Sequence, residues 1–119
     1  MKNIFSVLVV LALFIIPVTV FAGEGPLPLP TGANPEANTH NVEGIASWNQ
    51  KDYKGALMHF SAASKIDGSS GEIHFNEAIC YDKIGQHGVA TKHFGVALKK
   101  AGGNTKLLNS PILKGHLGM

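Results

Sequence analysis

An all-α fold made of two stacked helix-turn-helix hairpins plus a short C-terminal capping helix is predicted by three features of this sequence. The first is self-similarity. Gly55–Ala63 returns as Val89–Ala97 at an offset of 34 residues, and His40/His74, Glu43/Glu77, Ile45/Ile79, Ala56/Ala90, His59/His93, Phe60/Phe94, Ala63/Ala97, Lys65/Lys99 and Gly68/Gly102 are identical at that offset. A period of this length marks a helical unit that needs a stacked neighbour to bury its apolar face. The second feature is spacing: Ala56, Phe60 and Ala63 fall on one face of a helix, and Ala90, Phe94 and Ala97 repeat the arrangement. The third is punctuation, since cap-forming and glycine residues stand between the periodic runs.

The elements follow in order. Met1-Lys2-Asn3 and the apolar run Ile4 to Phe21 have the form of a secretory leader, with Val20-Phe21-Ala22 at the cleavage position, so residues 1–22 are assigned to a signal peptide. Retention as an anchor is the alternative, because the run reaches the lower limit for spanning a bilayer. No cysteine follows it for lipid attachment. Residues 23–34 alternate Pro26, Pro28 and Pro30 with leucine, and proline removes backbone donors and biases its neighbours towards extended structure. This stretch is expected to be an exposed polyproline-like linker, with docking of Leu27 and Leu29 as the lesser possibility.

Residues 35–119 form the helical domain, with repeats at about 37–70 and 71–104. Asn34-Pro35-Glu36 combines a capping side chain, proline at the first helical position and a carboxylate near the positive end of the dipole. The first helix should run to about Asn49 and the second from about Tyr53 to Ile66, with Gly68 as a left-handed stop. Ser69 and Glu72 have capping-box spacing and start a third helix that ends near Ile84-Gly85. The fourth is expected over about His87 to Lys100, closed by Gly102-Gly103. Ser110-Pro111 then restarts a capping helix over about 110–118.

Composition narrows the function classes. All ten basic residues are lysine, against eight acidic ones, and loss of Lys2 with the leader leaves the chain close to neutral. Without the guanidinium fork suited to phosphates and base edges, nucleic acid is not expected as a partner. Cys80 is the single cysteine, which excludes an intramolecular disulfide and is expected to pack as a small hydrophobe. The six histidines follow the repeat, with His40/His74 and His59/His93 at equivalent positions. No His-x-x-x-His or His-Glu-x-x-His face and no thiolate cluster accompanies them, so no metal and no other cofactor is expected. No nucleophile elbow, phosphate loop or paired-carboxylate motif is present, and the chain is expected not to be an enzyme.

With these residues in place, the chain resembles the tetratricopeptide repeat family over roughly residues 37–104. Gly44 and Ala78 match the family's small first-helix position, and Ala56/Ala90, Phe60/Phe94 and Ala63/Ala97 match its second-helix series. Tyr81 matches the first-helix aromatic, which Ser47 replaces in the first copy; Glu43 and Glu77 stand where leucine is common, and Gly68 and Gly102 where proline is common. The resemblance implies a concave surface lined by first helices, and its groove positions map to Asn41, Ile45, Trp48 and Asn49, then Phe75, Ile79, Asp82 and Lys83. Trp48, an aromatic among polar neighbours, is expected either to anchor a partner or to be covered by the proline-rich linker or an adjacent repeat. Lys83 alone could meet a peptide carboxylate.

The functional expectation is an exported interaction module, periplasmic or extracellular, that binds a peptide or helix of another protein and leaves the membrane once the leader is cleaved. A self-associating subunit is the alternative, since about three repeats are normally needed for a stable stack. A histidine-based metal-binding protein is the third.

Overall fold

The computed structural model describes residues 23–119, all of whose regular elements are helices. The leader assigned to residues 1–22 lies outside the described residues. Within them no helix is long and apolar enough to cross a membrane. The order is α1 (Pro35–Asn49), α2 (Tyr53–Ile66), α3 (Gly71–Lys83), α4 (His87–Lys99), α5 (Thr105–Leu108) and α6 (Pro111–Leu117). Helices α1 and α2 form one antiparallel hairpin and α3 and α4 a second; α3 stacks on α2, and α6 packs on α4.

Local chemistry sets most of the ends. Asn34 accepts from the amides of Glu36 and Ala37 at 2.9 and 3.0 Å, Asp52 from Gly55 at 2.9 Å, and Ser110 from Leu113 at 3.1 Å. Each satisfies a donor that the first turn of a helix leaves without a partner. Asn104 does the same for α5, a one-turn helix that the sequence reading did not anticipate. Gly85, Gly102 and Gly103 have positive φ at the stops of α3 and α4.

Three expectations need correction. The third helix does not open with a capping box: Ser70 occupies the cap without a side-chain bond, and Glu72 instead accepts from Asn104 Nδ2 at 2.7 Å, which ties α3 to the turn before α5. Gly68 is not a left-handed stop. It is the site of a close approach, where an added Cβ would lie 3.0 Å from the Ser64 carbonyl oxygen and 3.5 Å from His74 Nε2. Nor is residues 23–34 a wholly exposed linker. Leu27 is 8% exposed, because an extended strand of chain keeps its backbone donors and acceptors free and here finds side-chain amides to meet them.

The core has two parts, one between the first hairpin and α3 and one between the second hairpin and the C-terminal helices. Ala37, Ala56, Phe60, Ala63, Ile73 and Cys80 form one; Phe75, Ala78, Ile79, Ala90, Phe94, Ala97, Leu107 and Leu113 form the other, joined by Leu27. Small residues let the helices of a hairpin close on an aromatic. An ideal Cβ on Gly44 would sit 2.5 Å from Phe60 Cε1, so this position admits no side chain without moving the ring. Gly44→Ala would gain about 1 kcal/mol of helix propensity and lose about 1–3 kcal/mol to overpacking. We expect a lower Tm for Gly44→Ala and, as the control, a higher one for Gly95→Ala, whose Cβ meets nothing within 4 Å. Thermal melts followed by circular dichroism decide the sign; stabilisation by Gly44→Ala would contradict the packing described.

Candidate functional site

The face carrying the expected groove positions of α1 and α3 is occupied by the chain's own N-terminal segment, of which Leu27 is buried. The contact centres on Leu27. Its amide donates to Asn76 Oδ1 at 2.7 Å, and its carbonyl oxygen accepts from Asn76 Nδ2 at 2.8 Å and from Asn41 Nδ2 at 3.1 Å. Asn76 Nδ2 also donates to Asn41 Oδ1 at 2.8 Å, so the two amides orient one another. Both asparagines are at most 1% exposed, and a buried amide pair with every partner met holds a well-defined geometry. The clamp grips main chain, and the Leu27 side chain enters the core cluster that contains Phe75 and Ile79. Upstream, Glu24 Oε2 accepts from the Ile112 amide at 2.8 Å, at the start of α6.

The sequence-derived groove positions divide into three groups. Asn41, Phe75 and Ile79 are buried beneath the bound segment. Ile45, Trp48, Asn49 and Lys83 surround a cleft of about 570 Å³ that Gly23–Pro26 borders. There Trp48 is half-buried: its ring meets Tyr53 edge-on at 4.8 Å, and Lys83 Nζ lies 5.9 Å from the Trp48 ring and 5.5 Å from that of Tyr53. The exposed cation thus lies over both aromatic rings. Asp82 forms the third group. It accepts from His87 Nδ1 at 2.7 Å and His116 Nε2 at 2.8 Å, so it ties α3 to α6. Burial pushes its pKa up, but the hydrogen bonds from His87 and His116, with their charges, outweigh that and hold the carboxyl below its usual range.

Asn76 and Glu24 escaped the sequence reading. For Asn76 a signal existed: it lies three residues before Ile79 and seven before Lys83, so all three share one helical face. A polar amide between Ile73 and Ile79 on a buried face needs a partner, and here that partner is a main chain. Glu24 carried no signal, because its partner is 88 residues away. Cys80 is fully buried and its thiol is pushed up to about 12, first by burial and then by the Glu77 charge, which leaves it without thiolate character.

No family model matches the chain. Over 64 residues, 54% of its length, it is 39% identical to Sperm-associated antigen 1 of Homo sapiens, a protein that contains tetratricopeptide repeats. The match spans 7% of that protein's length. The packed helix pairs are those of helical hairpin repeats, and the similarity to that protein covers only this short stretch of it.

Proposed function

We propose that this chain is an exported tetratricopeptide-like interaction module, acting by binding and not by catalysis, whose groove takes an extended leucine-bearing segment of another protein in place of its own residues 24–30. The observation that carries this reading is the Asn41–Asn76 clamp on Leu27. Two side-chain amides that hold both the N–H and the C=O of one residue recognise extended main chain of any sequence, and the pocket beneath adds the preference for leucine. The export element of the proposal rests on the leader pattern of residues 1–22.

Magnitudes favour exchange over a permanent seal. Burying Leu27 and making four hydrogen bonds gains about 4–9 kcal/mol. Ordering the non-proline residues of the segment costs about 4–8 kcal/mol, the prolines being largely pre-set. The near balance means that a partner segment of similar chemistry can displace the internal one. A second reading follows from the same balance: the segment of one copy can enter the groove of another, pivoting at the Pro30–Ala33 turn where Gly32 has φ +85°.

The test is a labelled peptide of residues 23–34 titrated into Leu27→Asp, whose own segment cannot seat. We expect saturable binding with a change in Trp48 fluorescence, and its loss when Asn76→Ala is added. Failure of the peptide to bind at millimolar concentration would remove the exchangeable groove. Light scattering over a range of concentrations separates the readings, with a monomer favouring the external partner and a dimer the exchanged segment.

A further inference from the structure

Six histidines without a metal-binding sequence motif become a different matter once the hairpin is folded. His74 and Glu77 lie on α3 and His93 faces them from α4. Glu77 Oε1 is 3.3 Å from His74 Nδ1 and 3.7 Å from His93 Nδ1, and the three atoms lie within 4.8 Å of one another. Glu77 is 6% exposed, and both its Oε1 and His93 Nδ1 are buried without a hydrogen-bond partner. A carboxylate oxygen in that state is costly unless something meets it. One proton can join the carboxylate to one ring but leaves the third atom unmet, whereas a single divalent cation meets all three.

We propose that His74 Nδ1, Glu77 Oε1 and His93 Nδ1 form a binding site for a divalent transition-metal ion of the zinc class, clipping α3 to α4. The donor set suits that class, since imidazole and carboxylate together select Zn2+, Co2+, Ni2+ or Cu2+ over the hard cations. The separations suit it as well: bonds of about 2.0–2.2 Å in a four-coordinate site set neighbouring ligand atoms roughly 3.3–3.5 Å apart. Three protein ligands leave a fourth position for water or a group from outside.

The surroundings hold the ligands ready. His74 Nε2 lies 2.8 Å from the Gly68 carbonyl oxygen and donates to it in the tautomer that leaves Nδ1 free for a metal. Lys100 Nζ donates to the same oxygen at 3.0 Å. Ser61 on α2 donates to Glu77 Oε2 at 3.2 Å, which aims Oε1 inwards, and the Tyr81 ring stacks on His93 at 5.0 Å. The first hairpin repeats the triad as His40, Glu43 and His59, with contacts of 3.6 and 3.7 Å to Glu43 Oε1. There Glu43 is 51% exposed, and no described helix precedes α1 to supply a counterpart of Ser61. In a third cluster Asp82 is already met by His87 and His116 at 2.7 and 2.8 Å, so the second-hairpin site is the one whose carboxylate oxygen is buried and unmet.

The experiment titrates Co2+ and then Zn2+ into the full chain, following the visible d–d bands of four-coordinate Co2+ and the heat of Zn2+ binding. We expect one tight site with nitrogen and oxygen ligands. Glu77→Gln and His93→Gln should each weaken it well beyond tenfold, Ser61→Ala by about tenfold, and His59→Gln should leave it unchanged. Far-UV circular dichroism establishes that each variant is folded, and His93→Gln, at a partly exposed ring, serves if Glu77→Gln does not fold. The proposal is overturned if no saturable binding occurs at micromolar metal, if Glu77→Gln and His93→Gln bind as well as the parent, or if His59→Gln loses as much affinity as they do.

Discussion

Phe94→Ala is expected to destabilise the domain by about 3–5 kcal/mol, which for a domain of this size lowers Tm by at least about 12 °C. Phe94 is fully buried, its ring meets Phe75 at 5.6 Å in an edge-on contact and His116 at 4.9 Å, and it therefore joins α3, α4 and α6 at one point. Truncation removes one of the two buried phenylalanine rings of the second core cluster and leaves a void that three helices must close around. A small repeat domain has a total stability on the order of 5–15 kcal/mol, so the variant loses a large share of it. A thermal melt by circular dichroism reads the effect directly. A shift of less than about 3 °C would mean that the second hairpin is not organised around this ring.

Asn76→Ala should have the next largest effect, at about 2–4 kcal/mol, through a different mechanism. The substitution removes the acceptor for the Leu27 amide, the donor to Asn41 Oδ1 and one of the two donors to the Leu27 carbonyl, all in buried positions. The groove cannot keep these groups unmet, and release of residues 24–30 into water is the least costly response. Leu27 should then exchange its amide hydrogen as fast as an unfolded residue while the amides of α2 stay protected. Hydrogen exchange resolved by residue separates this from general unfolding. Continued protection of the Leu27 amide with an unchanged Tm would show that the segment is held by something other than the clamp.

The two predictions bracket what could be read from the sequence. Phe94 was visible as core because its partner residues are local and periodic: Ala90 and Ala97 share its helical face, and Phe60 repeats the pattern in the first copy. Helix ends were legible for the same reason, wherever a capping side chain bonds within three residues of itself, as at Asn34 and Ser110. The exceptions are instructive. Ser69 and Glu72 have the spacing of a capping box, yet Glu72 is drawn to Asn104, 32 residues away, and the local motif is given up for the tertiary one.

The concave face was legible as a set of positions and not as a state. Resemblance placed Asn41, Phe75 and Ile79 on it, but three alternating prolines carry no information about where the segment they stiffen comes to rest. That outcome depends on an amide in α3 meeting a backbone 49 residues earlier. Histidine spacing was uninformative for a related reason: the proposed ligands belong to two antiparallel helices, so their separation in sequence follows hairpin length and not the i, i+4 geometry that motif patterns encode.

Local periodicity, turn chemistry and the 34-residue repeat were sufficient to specify helices, hairpins and the buried aromatic of each, because those interactions act over distances that the chain order already encodes. The seat of Leu27, the pairing of Asn41 with Asn76 and the convergence of His74, Glu77 and His93 required the folded stack. They join residues whose proximity is created by packing, and a buried polar group takes whichever partner the completed fold brings within reach.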